Sequence, residues 1–454
     1  MAKRIVVVGG LAAGPSAASK AKRTNPECDV VLFEQGEYIS YGICEIPYAI
    51  AGEAPVDKLI SYTPERLREE KGVEVRTLHR VEELLPTKRR IVVRDVASGK
   101  ITEERYDKLI LATGSRPKLL GVVGEHARNV FTVKALADAL ILKQYIDEEQ
   151  PKNAVIIGGG YIGMEMADAL TTRGMNVTLL HLYNLPMNGL EREIRERVRA
   201  ELEKHRVHFV AYAKTEGFIV DKTNRVTHVV TDQGSFETGL VVLALGVEPN
   251  SAIATKAGIR VGPRGGILTD QRQQTNIDNI YAAGDCCAVK NLVTNAMSYI
   301  PLATLASKQG WVAGENAAGG AAVFRGAIHA IAVRVFGLEV ARVGASSEEA
   351  LASGFDVVTE SITAWSKVAM MPGSKKLWIT AVMDRRSRRL LGVNVVGEEG
   401  AVHRANLFAV GIFHRSSVDE IAQWDLVYSP PFTPLWDPVL VTANVLKKKI
   451  GSPT

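Results

Sequence analysis

Short apolar runs recur along this chain, and most of them stop at glycine. The run Arg4–Val8 leads into a glycine-rich turn at Gly9–Gly14. A helix follows to about Asn25, and a second run, Val30–Phe33, ends in Glu34. The same order returns from Ala154–Ile157: a turn at Gly158–Gly163, a helix to about Gly174, and the run Asn176–Leu180 ending at His181. Apolar runs of strand length beside helical periodicity predict parallel sheets with crossover helices. Asp107–Ala112 reads as a further buried strand closed by Thr113-Gly114, Leu190–His205 as a charged surface helix, and Val207–Leu245 as short strands closing at Gly246. Asn279–Ala282 is a strand that stops at Ala283-Gly284-Asp285, and Leu302–Ala318 is a helix ended by Gly319-Gly320. Beyond about Arg325 strands and helices alternate without a glycine fingerprint, as in Leu377–Met383, Leu390–Val396 and Ala401–Phe413. The expected fold is α/β, with two Rossmann-like units and a separate C-terminal α+β domain.

Composition narrows the function classes. The 454 residues are 46% apolar and 23% charged, enough for two or three cores and typical of an ordered, soluble chain. A net charge of +5, from 55 basic and 50 acidic residues, argues against a nucleic-acid partner and leaves a weak bias toward anionic small molecules. No stretch approaches the ~18–20 apolar residues of a membrane helix. The apolar run after Met1-Ala-Lys-Arg is too short for a signal peptide, so a cytoplasmic location is the expectation. Four cysteines, Cys28, Cys44, Cys286 and Cys287, show no C-x-x-C or zinc spacing, and no metal site is expected. In a reducing cytosol all four are free unless one does chemistry. Cys28 is expected in a surface turn, and Cys286 and Cys287 at a helix start with structural roles.

The two turns carry the first chemistry. Gly9-Gly10-Leu11-Ala12-Ala13-Gly14 offers backbone N–H groups at a helix N-terminus, where a pyrophosphate binds, although Leu11 takes the place of the usual middle glycine. Glu34, 20 residues after Gly14 and followed by Gln35, can accept both hydroxyls of a ribose. Gly158-Gly159-Gly160-Tyr161-Ile162-Gly163 matches G-x-G-x-x-G in full. Its second strand ends in His181 where an acidic residue would favour NADH. The repulsion of a 2′-phosphate is thereby removed, which leaves NADPH or NADH, with the balance tilted slightly to NADPH. Two dinucleotide sites in one chain are most economically one for FAD and one for NAD(P)H.

These motifs, with Ala112-Thr113-Gly114 after a strand and the segment from Thr275 to Asp285, resemble the FAD-dependent pyridine nucleotide-disulfide oxidoreductase family along nearly the whole chain. The resemblance implies a first FAD-binding part over 1–149 and an NAD(P)H-binding domain over 150–268. A second FAD-binding part over 269–324 and a dimerisation domain over 325–454 complete a homodimer. It further implies that Asp285 holds the ribityl and pyrophosphate region, and that Tyr161 and Glu165 line the nicotinamide pocket.

The segment Ser40-Tyr-Gly-Ile-Cys44-Glu-Ile-Pro47-Tyr48 selects the branch. Familiar members carry C-x-x-x-x-C, but the fifth position after Cys44 is Ala49. A lone cysteine cycles through a mixed disulfide, a persulfide or a sulfenic acid. This is similar to the single-cysteine branch of coenzyme A disulfide reductase, NAD(P)H persulfide or polysulfide reductases, NADH oxidase and NADH peroxidase. Pro47 suits the first turn of a helix, so Cys44 is expected near a helix N-terminus and as a thiolate. The oxidase and peroxidase members carry a histidine in the first turn, where this chain has Ala12, so reduction of oxygen or peroxide is disfavoured. Asp425-Leu-Val-Tyr428-Ser-Pro-Pro-Phe432 resembles the coenzyme A disulfide reductase segment whose tyrosine reaches the other subunit's cysteine.

Coenzyme A is accordingly a candidate ligand, and the resemblance assigns Ser16, Lys20, Arg23, Ser40 and Lys71 to it. Lys20 and Arg23 sit one turn apart on one helix. Departures from the pattern are Ile43, Glu45 and the pair Met370-Met371, which stands where relatives have two tyrosines. They leave a smaller persulfide, a polysulfide or another thiol disulfide as alternatives. The expected function is transfer of electrons from NAD(P)H through FAD to Cys44. The rivals are an NADH oxidase and a flavin-bound redox sensor without turnover.

Overall fold

The structure, a computed structural model, describes residues 2–450; Met1 and 451–454, which fall in the expected terminal domains, lie outside the described residues. Strand β1 (Arg4–Val8) pairs in parallel with β2 (Asp29–Phe33) on one side and with β4 (Lys108–Leu111) on the other, and β3 (Glu74–Arg76) extends the sheet beyond β2. The late strand β10 (Ile280–Ala282) returns to pair with β4. A second parallel sheet has β6 (Asn153–Ile157) at its centre, flanked by β7 (Asn176–Leu180) and β8 (His208–Val210) on one side and β9 (Leu240–Leu243) and β5 (Val130–Phe131) on the other. Their apolar runs are buried on both faces, as parallel strands covered by helices require.

Register decides where the chemistry collects. Val8 is level with Phe33 and Leu111, and Leu111 with Ala282, so the first turn, Glu34, Ala112–Gly114 and Ala283–Asp285 all leave one carboxyl edge. Ile157 is level with Leu180 and Leu243, which collects the second turn, His181 and Ala244–Gly246 in the same way. Ligands bind at such edges in open parallel sheets. Helix α1 (Ala13–Thr24) follows the first turn and packs along α5 (Ala303–Ala317). Helix α3 (Tyr161–Thr172) follows the second turn, and α4 (Arg192–Lys204) covers the same sheet.

The C-terminal part is a five-stranded antiparallel sheet in the order β11 (Ile331–Val335), β12 (Leu338–Gly344), β15 (Leu390–Gly397), β14 (Lys376–Asp384) and β13 (Val357–Trp365). Helix α6 (Ala401–Phe413) packs against β12 and β15. The short helix α2 (Ile46–Ala51), which follows Cys44, does not bury its apolar face under the first sheet. Ile46, Ala49 and Ile50 join the core built from α3, the second sheet and Val333 and Val335 of β11.

Two local expectations change. Cys28 lies in a turn but is only 2% exposed, because its side chain points into the core beneath α1. Cys286 and Cys287 occupy a tight turn after β10 with no helix there, and both are buried. Among the described residues no helix is long and apolar enough to cross a membrane.

Candidate active site

The first cradle is shaped by glycines that nothing else could replace. Gly9 has φ +112°, and a Cβ there would lie 2.1 Å from the carbonyl oxygen of Ala112; a Cβ on Gly14 would lie 1.8 Å from that of Gly9. The Gly10 N–H donates to Glu34 Oε2 at 2.6 Å and the Gly36 N–H to Oε1 at 2.8 Å. Burial raises the Glu34 pKa, and the N–H groups of Gly36 and Gly10 offset that rise only in part. At the start of α1 the cap position is Ala12, which has no side-chain acceptor, so the helix's first N–H groups remain available to an anion beside Leu11 and Ala12. The Thr113 hydroxyl donates to the Asn250 carbonyl at 2.7 Å, and the Asn250 side chain donates to the Thr113 carbonyl at 2.9 Å. Beside them Gly114, at φ +66°, borders open space. Asp285 Oδ2 accepts from Ser115 Oγ at 2.9 Å and from Lys134 Nζ at 3.0 Å. An acceptor for a ribose, free N–H groups for a pyrophosphate and glycines that keep the space clear fit FAD. Gln35 is exposed beside this cradle.

The second cradle repeats the plan. A Cβ on Gly158 would meet the Ala244 carbonyl oxygen at 2.3 Å, and one on Gly163 the Gly158 oxygen at 2.0 Å. Gly160 caps α3 without a side-chain bond and borders open space, as does Gly246 at φ +86°. The Gly159 N–H donates to His181 Nδ1 at 3.1 Å. In the neutral ring the proton then sits on Nε2, which is buried beside Asn188 and the Leu185 carbonyl without an ideal hydrogen bond. Burial lowers the His181 pKa, so this residue is a neutral donor and not the phosphate-binding cation its position allowed. Tyr161, Ile162 and Glu165 lie on the first turns of α3, all half-buried. Burial pushes the Tyr161 phenol up to about 12 and the Glu165 carboxyl up to about 7.

Cys44 sits in the turn between the cradles, two residues before α2. The loop is anchored to the first glycine turn: the Ser40 N–H donates to the Gly10 carbonyl at 2.8 Å, and Ser40 adopts φ +48°. The Gly42 N–H donates to the Leu59 carbonyl at 2.9 Å, and the Glu45 side chain folds back over Gly42. The thiol is exposed in the single chain. Its pKa is nevertheless raised, first by the surrounding protein and then by Glu165 and Glu45, with Lys134 opposing and Asp285 adding to the rise. The expected thiolate bias is therefore absent from the chain alone, where the six-residue α2 is opposed by burial and three carboxylates. The loop before Cys44 is tied to the first glycine turn through Ser40, and the helix after it packs on α3, which opens from the second turn, so Cys44 lies between the two cradles.

The residues assigned to coenzyme A are not all free. Lys20 Nζ pairs with Glu315 Oε2 at 2.8 Å and lies 4.0 Å from the ring centre of Trp311, so α5 neutralises and covers it. Arg23 is exposed, Ser16 and Ser40 are half-buried, and Lys71 Nζ lies 5.8 Å from the Tyr62 ring centre. Lys20 and Arg23 thus do not form one open basic face. Tyr428 is 47% exposed, within a patch that includes Val427, Phe432, Leu435 and Trp436. The Met370-Met371 segment lies beside that loop, since the Val368 N–H donates to the Pro430 carbonyl at 3.4 Å. Sequence reasoning missed Lys134, Tyr48, Asp168, Arg334 and Trp311; only Tyr48, four residues from Cys44, carried a local hint.

Two glycine cradles at parallel-sheet edges, converging on one exposed thiol, define a two-dinucleotide thiol redox enzyme. Residues 3–310 match the pyridine nucleotide-disulphide oxidoreductase family and 331–438 its dimerisation domain, and the chain belongs to that family. It is 36% identical over 452 residues to the NAD(P)H coenzyme A polysulfide/persulfide reductase of Pyrococcus horikoshii, covering 98% of this chain and 99% of that protein. An NADH oxidase of Methanocaldococcus jannaschii is 30% identical, covering 99% of this chain and all of that one. The solved structure of an NAD-dependent persulfide reductase from A. fulgidus superposes with a TM-score of 0.95 at 31% identity, covering 98% of this chain and 83% of that one. The protein is thus an NAD(P)H-dependent flavoprotein disulfide reductase of the single-cysteine branch, with FAD as its prosthetic group.

Proposed function

We propose that this protein reduces coenzyme A disulfide or a related persulfide or polysulfide, as a cytoplasmic homodimer with Cys44 as its only redox sulfur. The observation that carries the reading is the place of Cys44, the one exposed cysteine of the four, on a loop tied to the first glycine turn and beside a helix that packs on α3 of the second. Gly9, Gly10, Gly14, Glu34, Thr113, Gly114 and Asp285 hold FAD; Gly158, Gly160, Gly163 and His181 hold the nicotinamide dinucleotide, with Tyr161 and Glu165 at its reactive end. Bound FAD supplies the two-electron connection between NAD(P)H and sulfur. The Cys44 thiolate attacks one sulfur of the substrate. The substrate S–S bond breaks, a Cys44–S bond forms, and one thiolate leaves. Tyr428 of the partner subunit donates a proton to that leaving thiolate. The two electrons and one proton of the hydride equivalent that NAD(P)H supplies would then cleave the mixed disulfide, releasing the second thiol and restoring the Cys44 thiolate.

The relatives named for coenzyme A-dependent sulfur reduction support the substrate class, and the exposed apolar patch around Tyr428 supports a subunit contact. Reduction of oxygen is the second reading, favoured by the NADH oxidase relative and opposed by Ala12, which offers no acid–base group in the first turn. Intact mass of the purified protein before and after a thiol reductant tests the reading. A loss equal to coenzyme A or to sulfur, absent in Cys44→Ser, is expected. Full disulfide turnover by FAD-loaded Cys44→Ser overturns it.

A further inference from the structure

Glu165 lies where three parts of the chain meet. Helix α3 carries it, α2 packs on α3 from the Cys44 side, and β11 of the C-terminal sheet closes the third side. Arg334 on β11 touches all three. Its Nη1 donates to Glu53 Oε2 at 2.9 Å and its Nη2 to Glu53 Oε1, just beyond the end of α2. Its Nε donates to Asp168 Oδ2 on α3 at 3.3 Å, and its guanidinium carbon lies 4.6 Å from the Tyr48 ring centre on α2. Asp168 also accepts from the Phe336 N–H, in the turn just after β11, at 3.2 Å. Tyr48, Glu165, Asp168 and Arg334 line one small cavity between α2, α3 and β11, and Tyr48 favours the ionised form of Glu165.

We propose that Arg334 is a positioning residue for Glu165: by tying the Cys44 helix to α3 from the C-terminal domain, it keeps Tyr48 against Glu165 and sets the charge Glu165 presents to the nicotinamide and to Cys44. The inference rests on the reading of Glu165 as the nicotinamide-side carboxylate. A guanidinium shared by two carboxylates and an aromatic face has little freedom to leave, so it fixes geometry as well as field.

The titratable and charged groups around Glu165 are Tyr48 and Cys44 from the α2 side, Asp168 from its own helix and Arg334 from β11, with Glu53 behind them on Arg334. Burial is the largest influence on Glu165 and raises it to about 7; Tyr48 and then Arg334 lower it, and Asp168 raises it. The signs follow. Loss of the Arg334 charge removes a stabiliser of the anion and raises the midpoint, whereas loss of the Asp168 charge removes a repulsion and lowers it. The Glu165 charge also raises Cys44, so one cation on the C-terminal domain tunes both ends of the site.

The test uses the FAD-loaded protein as Arg334→Gln, Arg334→Lys, Asp168→Asn and Glu165→Gln. An infrared pH titration follows the protonated-carboxyl band that Glu165→Gln abolishes, and the pH profile of flavin bleaching by NADH is recorded alongside. Arg334→Gln is expected to raise the band's midpoint by about one pH unit. Asp168→Asn should lower it, and Arg334→Lys should recover about half of the displacement. Should Arg334→Gln fail to load FAD, Arg334→Lys carries the same sign at smaller size. Midpoints that stay at the wild-type value, or that move together in Arg334→Gln and Asp168→Asn, overturn the proposal. A bleaching profile unchanged in Glu165→Gln overturns instead the nicotinamide-side reading of Glu165, whatever the infrared midpoints show.

Discussion

In both nucleotide cradles the second glycine of the turn donates its N–H to the residue that ends the next strand. Gly10 donates to Glu34 Oε2 at 2.6 Å, and Gly159 to His181 Nδ1 at 3.1 Å. The backbone problem and its solution are the same, but the side chains differ in what they leave for a ribose. Glu34 is an anion steadied by two N–H groups, with lone pairs left to accept hydroxyls. His181 is a neutral ring whose remaining N–H is buried beside Asn188 and Leu185, so it brings no negative charge to the cradle. An anionic acceptor admits a ribose with free hydroxyls and repels a phosphate on it; a neutral ring tolerates both. The difference predicts selectivity for one ribose on the flavin side and tolerance of both NADH and NADPH on the nicotinamide side.

The largest expected effects come from the glycines that close each turn. Gly14→Ala drives a methyl against the Gly9 carbonyl in the flavin cradle, and Gly163→Ala does the same against Gly158 in the other. In neither case is there a flexible side chain to move aside, so a backbone must shift. Gly14→Ala should yield protein without FAD. Gly163→Ala should keep its flavin absorbance but require more than about tenfold higher NADH for half-maximal bleaching, a loss of roughly 1.4 kcal/mol or more in binding. If Gly163→Ala loses FAD as readily as Gly14→Ala, the two cradles are not independent and the comparison breaks.

Next in size are the strand-end residues. Glu34→Gln keeps an oxygen for the Gly10 N–H but removes the charge, and should weaken FAD retention about tenfold, measured by ultrafiltration against free flavin. His181→Glu should leave NADH turnover within about twofold and raise the KM for NADPH by about ten- to a hundredfold, because a carboxylate would face the 2′-phosphate. Equal effects on the two nucleotides would remove His181 from the reading of specificity.

These positions were legible in the sequence because each depends on neighbours a few residues away: a turn that needs glycine, and the end of the strand beside it. The Cys44 loop was legible for the same reason, through Ser40, Pro47 and the missing second cysteine. What sets the charge around the thiol was not. Lys134 meets Asp285 across 151 residues, and Arg334 reaches Asp168 across 166 and Glu53 across 281. No local periodicity encodes such pairs. The same blindness misplaced Cys28, whose polar turn hides a side chain aimed at the core. It also left Lys20 looking free when Trp311 and Glu315, one turn apart on α5, enclose it.

The smallest expected effect is the sharpest probe of the difference between the cradles, because its sign is opposite in each. Glu34 in the flavin-free protein has its pKa raised above the usual 4.5, so its contribution to stability is full below that value and is lost as pH rises through the folded-state pKa. His181 has its pKa lowered below 6.5, so its contribution is full above that value and is lost as pH falls through the folded-state pKa. In the apoprotein, Glu34→Gln should therefore flatten the fall in Tm on the alkaline side of pH 4.5 and leave the acid side unchanged. His181→Asn should flatten the fall below pH 6.5 and leave the alkaline side unchanged. Readdition of FAD supplies hydroxyl donors to Glu34 and should abolish the first difference while preserving the second. If FAD instead erases both, the flavin reaches the second cradle, and the separation of selective and permissive halves no longer holds.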